Sequence, residues 1–139
     1  MKVVVEETVA AAADKVFEVI GNFAGLEKNE MIVDFTVNGS GVGAVRSIKL
    51  ANGGGIEERL EKYDATTRCF TYAIINEQTA LPVAKYAATV TVTPLDAQTS
   101  SINWTGIFEP VGISEAQADT IIGGIYKGGI ARTRRRLGL

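Results

Sequence analysis

Few side chains in this sequence could support acid–base or metal chemistry. The chain has no histidine and one cysteine, Cys69, which excludes imidazole-based catalysis, a histidine metal site and an internal disulfide. Acid–base chemistry would therefore depend on Glu, Asp, Lys or Tyr side chains. We expect neither a metal site nor a cofactor, and we expect Cys69 to be a buried, reduced strand thiol.

Two predicted strands each place one charge among apolar side chains. Alternate residues lie on the same face of a strand, so the apolar positions identify the inward face. The inward sets are Arg46, Ile48 and Leu50 in the strand at 44–51, and Ile56, Glu58 and Leu60 in the strand at 55–63. Because an isolated buried charge is costly, the two opposite charges are expected to pair.

The turn between these strands decides whether the charges meet. A three-residue turn over 51–53 places Arg46 directly opposite Glu58, with Gly53 in the left-handed conformation. A two-residue turn would pair inward residues with outward ones, whereas a five-residue loop would keep inward residues together. The pair could be an ion bridge within the sheet, or it could orient a polar group of a ligand.

Three alternate glycines, Gly39, Gly41 and Gly43, raise the question of a phosphate-binding loop. In a dinucleotide-binding fingerprint the glycines open a helix. Here they precede residues 44–50, whose alternation and β-branched residues are typical of a strand. We therefore predict a turn between antiparallel strands that contacts no nucleotide.

Length and composition indicate one domain, residues 1–139, with 46% hydrophobic residues and a net charge of −2. No apolar run approaches the ~20 residues of a membrane span, and the first residues do not resemble a signal peptide. Strand signals lie near 3–9, 31–38, 44–51, 55–63, 68–76, 85–94 and 100–109. Helices are predicted at 10–23, as a short turn at 24–30, and over 114–136 with Ser114 as N-cap.

This order predicts an α+β fold in which a seven-stranded antiparallel sheet curves around the long last helix. The two earlier helical segments would form a helical hairpin between the first two strands. One side of the last helix carries Ala118, Ile121, Ile122, Ile125 and Gly129. Its glycine pairs, 123–124 and 128–129, either permit close packing or leave room for a guest molecule in a cavity. Its basic end, 132–136, is expected to complement the helix dipole and to be solvated.

Four segments, ADKVFEVIGNFAGL, GVGAVRSIKL, IEERLEKYD and FTYAII, together with the order of elements, resemble the helix-grip (START-like, SRPBCC) superfamily. This superfamily groups START lipid-binding domains, bacterial polyketide cyclase/dehydrase-like proteins, birch-pollen-allergen type proteins and plant abscisic-acid receptors. The resemblance covers the whole chain. It is closest to small bacterial members described as polyketide cyclase/dehydrase or lipid-transport proteins, including those resembling the methanol-dehydrogenase accessory protein.

Similarity to the plant receptors implies a lidded pocket, with the receptors' pocket carboxylate at Glu58 and closing loops at 51–55 and 76–84. The receptors' gate and latch sequences are missing here, so hormone recognition is not implied. Strand alternation places Trp104 on the inward face of the last strand, whereas alignment with the receptors favours Asn103. Alternation and resemblance together give this ligand-binding set: Arg46, Ile48, Ile56, Glu58, Leu60, Tyr72, Ile74, Tyr86, Ala88, Trp104, Ile121 and Ile125.

Three functions are compatible with these features. The leading hypothesis is a non-catalytic protein that binds a small hydrophobic or amphipathic molecule, lipid-like or polyketide-like, and no nucleic acid. The alternative is a cofactor-free cyclase or dehydratase, with Glu58 as acid or base, Tyr72 or Tyr86 as proton donor and Arg46 stabilising an enolate. An accessory protein that acts through protein partners is the third.

The expected pairing of Glu58 with Arg46 bears on the choice between ligand binding and catalysis, because a carboxylate next to a cation is a poor base. Binding is therefore favoured over catalysis. We expect a cytoplasmic protein that is a monomer or a weak homodimer.

Overall fold

The computed structural model describes all residues, from Met1 to Leu139, as seven strands and two helices. The strands are β1 (Lys2–Val9), β2 (Ile32–Asn38), β3 (Val45–Leu50), β4 (Gly55–Asp64), β5 (Cys69–Ile74), β6 (Val83–Asp96) and β7 (Thr99–Pro110). The helices are α1 (Ala13–Ile20) and α2 (Glu115–Arg136). All seven predicted strands and the two principal helices are present.

The strands form one antiparallel sheet in the order β1-β7-β6-β5-β4-β3-β2. Consecutive strands from β2 to β7 are neighbours, as in a meander, and β1 pairs with β7 at the far edge. The helix α2 lies mainly over β1 and β7, and α1 contacts α2, β6 and β7. The predicted helix-grip arrangement is thus confirmed, with the core between the sheet and the helices.

Local signals set the ends of α2. The Ser114 hydroxyl accepts a hydrogen bond from the Gln117 N–H, and the Gln117 side chain accepts one from the Ser114 N–H. This reciprocal capping satisfies amide donors that the first helical turn leaves unpaired. Arg134, Arg135 and Arg136 occupy the last turn, where positive charge opposes the helix dipole.

The second helical turn predicted at 24–30 is wrong, so there is no helical hairpin. Residues between Asn22 and Met31 are irregular, and their carbonyls bind side chains that are distant in sequence. Arg46 Nη1 donates to the Phe23 carbonyl over 3.2 Å, and Arg132 Nη1 donates to the Gly25 carbonyl. Arginine donors thus take the place of the helical N–H groups that these carbonyls would otherwise bind.

The basic end of α2 is less solvated than expected. Arg134 pairs with Glu7, and Arg136 pairs with Glu27. Arg132 is half-buried, and burial lowers the pKa of its guanidinium while the Glu27 carboxylate opposes that shift. These residues attach α2 to β1 and to the irregular segment after α1. No helix is both long and apolar enough to cross a membrane.

Candidate functional site

The ion pair between Arg46 and Glu58 is buried on the inner face of the sheet. Arg46 Nε lies 2.6 Å from Glu58 Oε1, and the two side chains are only 13% and 9% exposed. The two residues are direct cross-strand partners on β3 and β4. The predicted pairing is confirmed.

The β3–β4 turn gives this register because of its glycine. Leu50 N–H donates to the Gly54 carbonyl and Gly53 N–H donates to the Leu50 carbonyl, which closes a three-residue turn over 51–53. Gly53 has φ of +89°, a conformation that L side chains rarely adopt. A shift of one residue would move Arg46 or Glu58 to the solvent face.

Aromatic rings and one carbonyl complete the surroundings of Arg46. Its guanidinium carbon lies 4.4 Å from the Phe23 ring centre and 5.5 Å from the Tyr72 ring centre. The atoms Arg46 Nη2 and Glu58 Oε2 make no hydrogen bond within the protein. The pair is therefore neutral overall and keeps one free donor nitrogen and one free acceptor oxygen.

Four hydrogen-bonded aromatic side chains, which we call the tyrosine cluster, fill the space between the sheet and α2. Trp104 Nε1 donates to the Tyr72 hydroxyl over 3.2 Å, Tyr72 and Tyr86 hydroxyls lie 3.3 Å apart, and the Tyr86 and Tyr126 hydroxyls are also hydrogen-bonded. The Trp104 and Tyr126 rings stack with centres 4.8 Å apart. Trp104 is thus on the inward face, while Asn103 points outward and bonds to Glu6.

Burial strongly raises the pKa of each hydroxyl in the tyrosine cluster. The pKa of Tyr72 is raised first by burial and then by the negative charge of Glu58. The pKa values of Tyr86 and Tyr126 are also raised mainly by burial. These hydroxyls therefore stay protonated at neutral pH, so they can donate hydrogen bonds but cannot act as bases.

The glycines opposite this cluster make room for the chain's own rings. A Cβ atom at Gly129 would lie 2.6 Å from Trp104 Cζ3, and one at Gly106 would overlap the Tyr126 hydroxyl. A Cβ atom at Gly124 or at Gly128 would meet no other atom within 4 Å. Of the two explanations for the helix glycines, close packing therefore applies at Gly129.

The inward face of α2 also differs from the prediction. Its buried residues are Ala118, Ile122, Gly123, Tyr126, Ile130 and Thr133, whereas Ile121 and Ile125 are 39% and 38% exposed. The physical reason is the position of α2 at the β1 edge of the sheet, where Gly123 faces Val3 and Val5. On the helix surface Ile121 and Ile125 lie to one side of Ile122 and Ile130 to the other, so apolar periodicity is compatible with either orientation of α2.

The other residues predicted on the inward face are buried or half-buried there. Ile48 and Ile56 are buried cross-strand partners that lie outside the main core cluster. Ala88 is 1% exposed, opposite Tyr72 on one side and Gly106 on the other. Ile74 is half-buried at the end of β5. Whether any of these residues touches a ligand stays a prediction.

An open cavity of about 430 Å³ lies beside the ion pair, between the end of α1 and the β2–β3 turn. Its walls include Phe23, which packs on Arg46, and Leu60, which follows Glu58 on the same face of β4. The complete lining is Glu18, Gly21, Asn22, Phe23, Ala24, Val37, Gly39, Ser40, Gly41, Ala44, Leu60 and Tyr63. This volume is within the range of small-molecule sites.

The glycine turn at 39–43 forms part of the rim of this cavity. Gly39, Gly41 and Gly43 all have positive φ, and the turn joins β2 to β3 as predicted. Gly43 N–H donates to the Leu60 carbonyl and Ala44 N–H donates to the Gly41 carbonyl, so these amides are already paired. No lysine or arginine lines the cavity. The cavity lining therefore lacks the guanidinium or ammonium group that commonly pairs with a phosphate.

The two loops predicted to close a pocket contact each other at the opposite end of the sheet. Ala80 N–H and the Asn76 side-chain amide both donate to the Gly55 carbonyl, over 2.9 and 3.1 Å. Asn76 Oδ1 accepts a hydrogen bond from the Glu57 N–H. A smaller cavity of about 270 Å³ lies beside the second loop, lined partly by Ile74 and Tyr86.

Comparison with known proteins shows the family. The family model for "Polyketide cyclase / dehydrase and lipid transport" matches residues 1–138. The chain belongs to this family. The comparison with curated proteins found no match.

Solved structures support the fold. An uncharacterised protein from Bacillus thuringiensis is 28% identical, with a TM-score of 0.83 and 98% of each chain covered. The protein XoxI from Bacillus cereus is also 28% identical, with a TM-score of 0.83 over 97% of this chain and 94% of that one. Norcoclaurine synthase from Thalictrum flavum, solved with dopamine and hydroxybenzaldehyde, is 19% identical, with a TM-score of 0.74 over 99% and 85% of the two chains.

Of the twelve residues that line the cavity, only Leu60 was in the ligand-binding set predicted from the sequence, and Tyr126 of the tyrosine cluster was also missed. Phe23 was the last residue of the helix predicted at 10–23, and nothing in that pattern indicated that it would cover Arg46. Tyr126 could have been found from its spacing of four residues from Ile122 along α2. Glu18, at the end of the amphipathic α1, gave no signal beyond an ordinary exposed helix face.

Proposed function

We propose that this protein binds a small, mainly apolar molecule in the 430 Å³ cavity beside the ion pair. The observation that supports this most directly is an apolar cavity whose wall residue Phe23 also packs on the buried ion pair. The floor is apolar, with Phe23, Val37, Ala44 and Leu60. The Arg46–Glu58 pair lies behind Phe23 and offers one free donor and one free acceptor.

A buried, neutral polar pair next to an apolar cavity favours an amphipathic ligand. Apolar contact would supply most of the affinity, and a carbonyl or hydroxyl group of the ligand could hydrogen-bond to Arg46 Nη2 or Glu58 Oε2. Phe23 separates the pair from the cavity, so its ring would have to move for such a contact. Phe23 lies in the irregular segment after α1, which has fewer backbone restraints than a helix or strand.

Two exposed alanines provide a matched test. Ala24 lines the cavity, and Ala51 lies in the β3–β4 turn at the opposite end of the sheet. Ala24→Trp should weaken the binding of Nile red, an apolar fluorescent dye, by at least about tenfold, because the indole would occupy the cavity. Ala51→Trp should leave binding unchanged. Equal binding by both variants, or no binding by the unmodified protein, would rule out this cavity as the ligand site.

Catalysis of a cyclisation or dehydration is the second candidate, and the family description and the free Glu58 Oε2 atom favour it. The pairing of Glu58 with Arg46 and the raised tyrosine pKa values oppose it, because both leave the site without a ready base. Glu58→Gln separates the two functions. An enzyme should lose turnover while ligand affinity changes little, whereas a binding protein should show no turnover in either form.

A further inference from the structure

The charges around the 430 Å³ cavity point to the class of ligand that it accepts. Glu18 is the one charged residue among the twelve that line it. Its carboxylate is exposed and forms no ion pair or hydrogen bond with another side chain. Lys15, one turn earlier on α1, neither pairs with Glu18 nor lines the cavity.

The end of α1 adds to this negative potential. The helix stops at Ile20, its C-cap Gly21 lines the cavity, and its last turn contains no basic residue. The carbonyl groups at a helix C-terminus carry partial negative charge, which favours nearby cations. Here that partial charge and the Glu18 carboxylate lie at the same opening.

Two arginines lie close to this cavity without lining it: Arg46 packs on Phe23, and Arg132 donates to the Gly25 carbonyl, next to Ala24. Arg46 is neutralised by Glu58 at 2.6 Å, and its Nη1 is bonded to the Phe23 carbonyl. Among the lining residues, an anionic head group would therefore meet a carboxylate and no cation. A cationic head group would meet Glu18 and the half-exposed ring of Tyr63, which also lines the cavity.

We propose, resting on the function proposed above, that this cavity selects neutral and cationic amphiphiles, organic ammonium compounds above all, and discriminates against fatty-acid-like carboxylates. The apolar tail lies against Phe23 and Leu60, and the ammonium group lies at the rim beside Glu18. Glu18 at the opening would thus select ligands by charge, and the apolar floor would select them by size.

The experiment uses three probes with the same tail: decylamine, 1-decanol and decanoate, each below its micelle concentration. Each displaces neutral Nile red from the unmodified protein, from Glu18→Gln and from Glu57→Gln. Glu57 is an exposed glutamate on β4 that does not line the cavity, so its variant carries the same charge change elsewhere. Amide chemical shifts of 18–24 and 37–44 report whether the probes bind in this cavity.

An exposed ion pair changes an association constant by up to about fivefold, and exchanging ammonium for carboxylate replaces attraction with repulsion. Decylamine should therefore bind about three- to twentyfold more tightly than decanoate, with decanol between them. Glu18→Gln should remove most of this preference and Glu57→Gln should keep it. Added salt should reduce it, because exposed charges are screened.

The possible failures are distinguishable. Equal affinities for the three probes, or tightest binding of decanoate, would overturn the charge selection and leave the binding function intact. A preference that survives Glu18→Gln would assign it to another group and would also overturn the inference. If none of the probes displaces Nile red, or if their shifts lie elsewhere, both the proposed function and the selection fail.

Discussion

The Arg46–Glu58 pair allows a stability prediction whose magnitude follows from its geometry. Glu58→Gln removes the negative charge and keeps an acceptor oxygen at the position of Oε1, 2.6 Å from Arg46 Nε. The guanidinium is then a buried cation held by the Phe23 carbonyl, the amide oxygen and two aromatic faces.

Complete loss of a partner from a buried ion pair costs about 3–5 kcal/mol. Because a hydrogen bond and the aromatic contacts survive in Glu58→Gln, we expect a smaller loss of about 1–3 kcal/mol in the free energy of unfolding. Glu57→Gln makes the same chemical change at the next, outward position of β4 and should cost under about 0.5 kcal/mol.

Urea unfolding at neutral pH measures both values, and unchanged m-values would show that the denatured state is not altered. The double variant Arg46→Met, Glu58→Leu provides a second check. It should be less destabilised than the sum of its single variants, because each single change strands the other charge. Equal losses for Glu58→Gln and Glu57→Gln would contradict the reasoning, since they would mean that burial of the pair has no energetic effect.

Other predictions concern the core and the glycines. Gly129→Ala should destabilise the protein, because the added Cβ atom would overlap Trp104. Gly124→Ala, on the open side of α2, should stabilise it by about 0.5–1 kcal/mol. Thermal unfolding of the two variants tests both expectations. Ala88→Phe should lower the free energy of unfolding by about 1–3 kcal/mol without weakening Nile red binding, because the surroundings of Ala88 are packed. A large loss of dye binding without a loss of stability would place the ligand between the sheet and α2. The free energy of unfolding should fall as pH rises above 10.0, the ordinary tyrosine pKa, because tyrosines in the unfolded chain release protons that the buried ones, whose pKa values are raised, retain. Tyrosinate absorbance of the cluster should therefore appear only together with unfolding. Its appearance in the folded state would contradict the burial argument. Titration with NAD, ATP or FMN should show no binding, and an affinity that depends on the glycine turn would overturn the assignment of that turn.

Much of the fold was predictable because strand signals are local. Alternation of apolar residues has a period of two, and a slip of one residue would turn a whole strand inside out. For that reason the inward positions of Arg46, Glu58 and Leu60 followed from the sequence alone, whereas the choice between Trp104 and Asn103 needed the structure. The turn glycine Gly53 then brought the two charges opposite each other.

The helical segments were harder, because periodicity did not decide their orientation or existence. The helix α2 carries isoleucines over a wide arc, so its sequence is compatible with several faces. The choice of Tyr126 over Ile125 depends on Trp104, Gly106 and the position of β1, which are close only in the folded chain. The segment after α1 stays irregular because arginines from β3 and α2 bind its carbonyls.

The sequence by itself determined the family, the strand order along the chain, the β3–β4 register and the buried ion pair. The family follows from motifs along the whole chain, whereas the register and the ion pair depend on residues within one hairpin, where spacing is fixed by backbone geometry. Only the tertiary structure decided where space remains. The large side chains of β5, β6, β7 and α2 fill the region beneath the helix, and the open cavity lies instead at the end of α1, because a void depends on the packing of side chains from many elements at once.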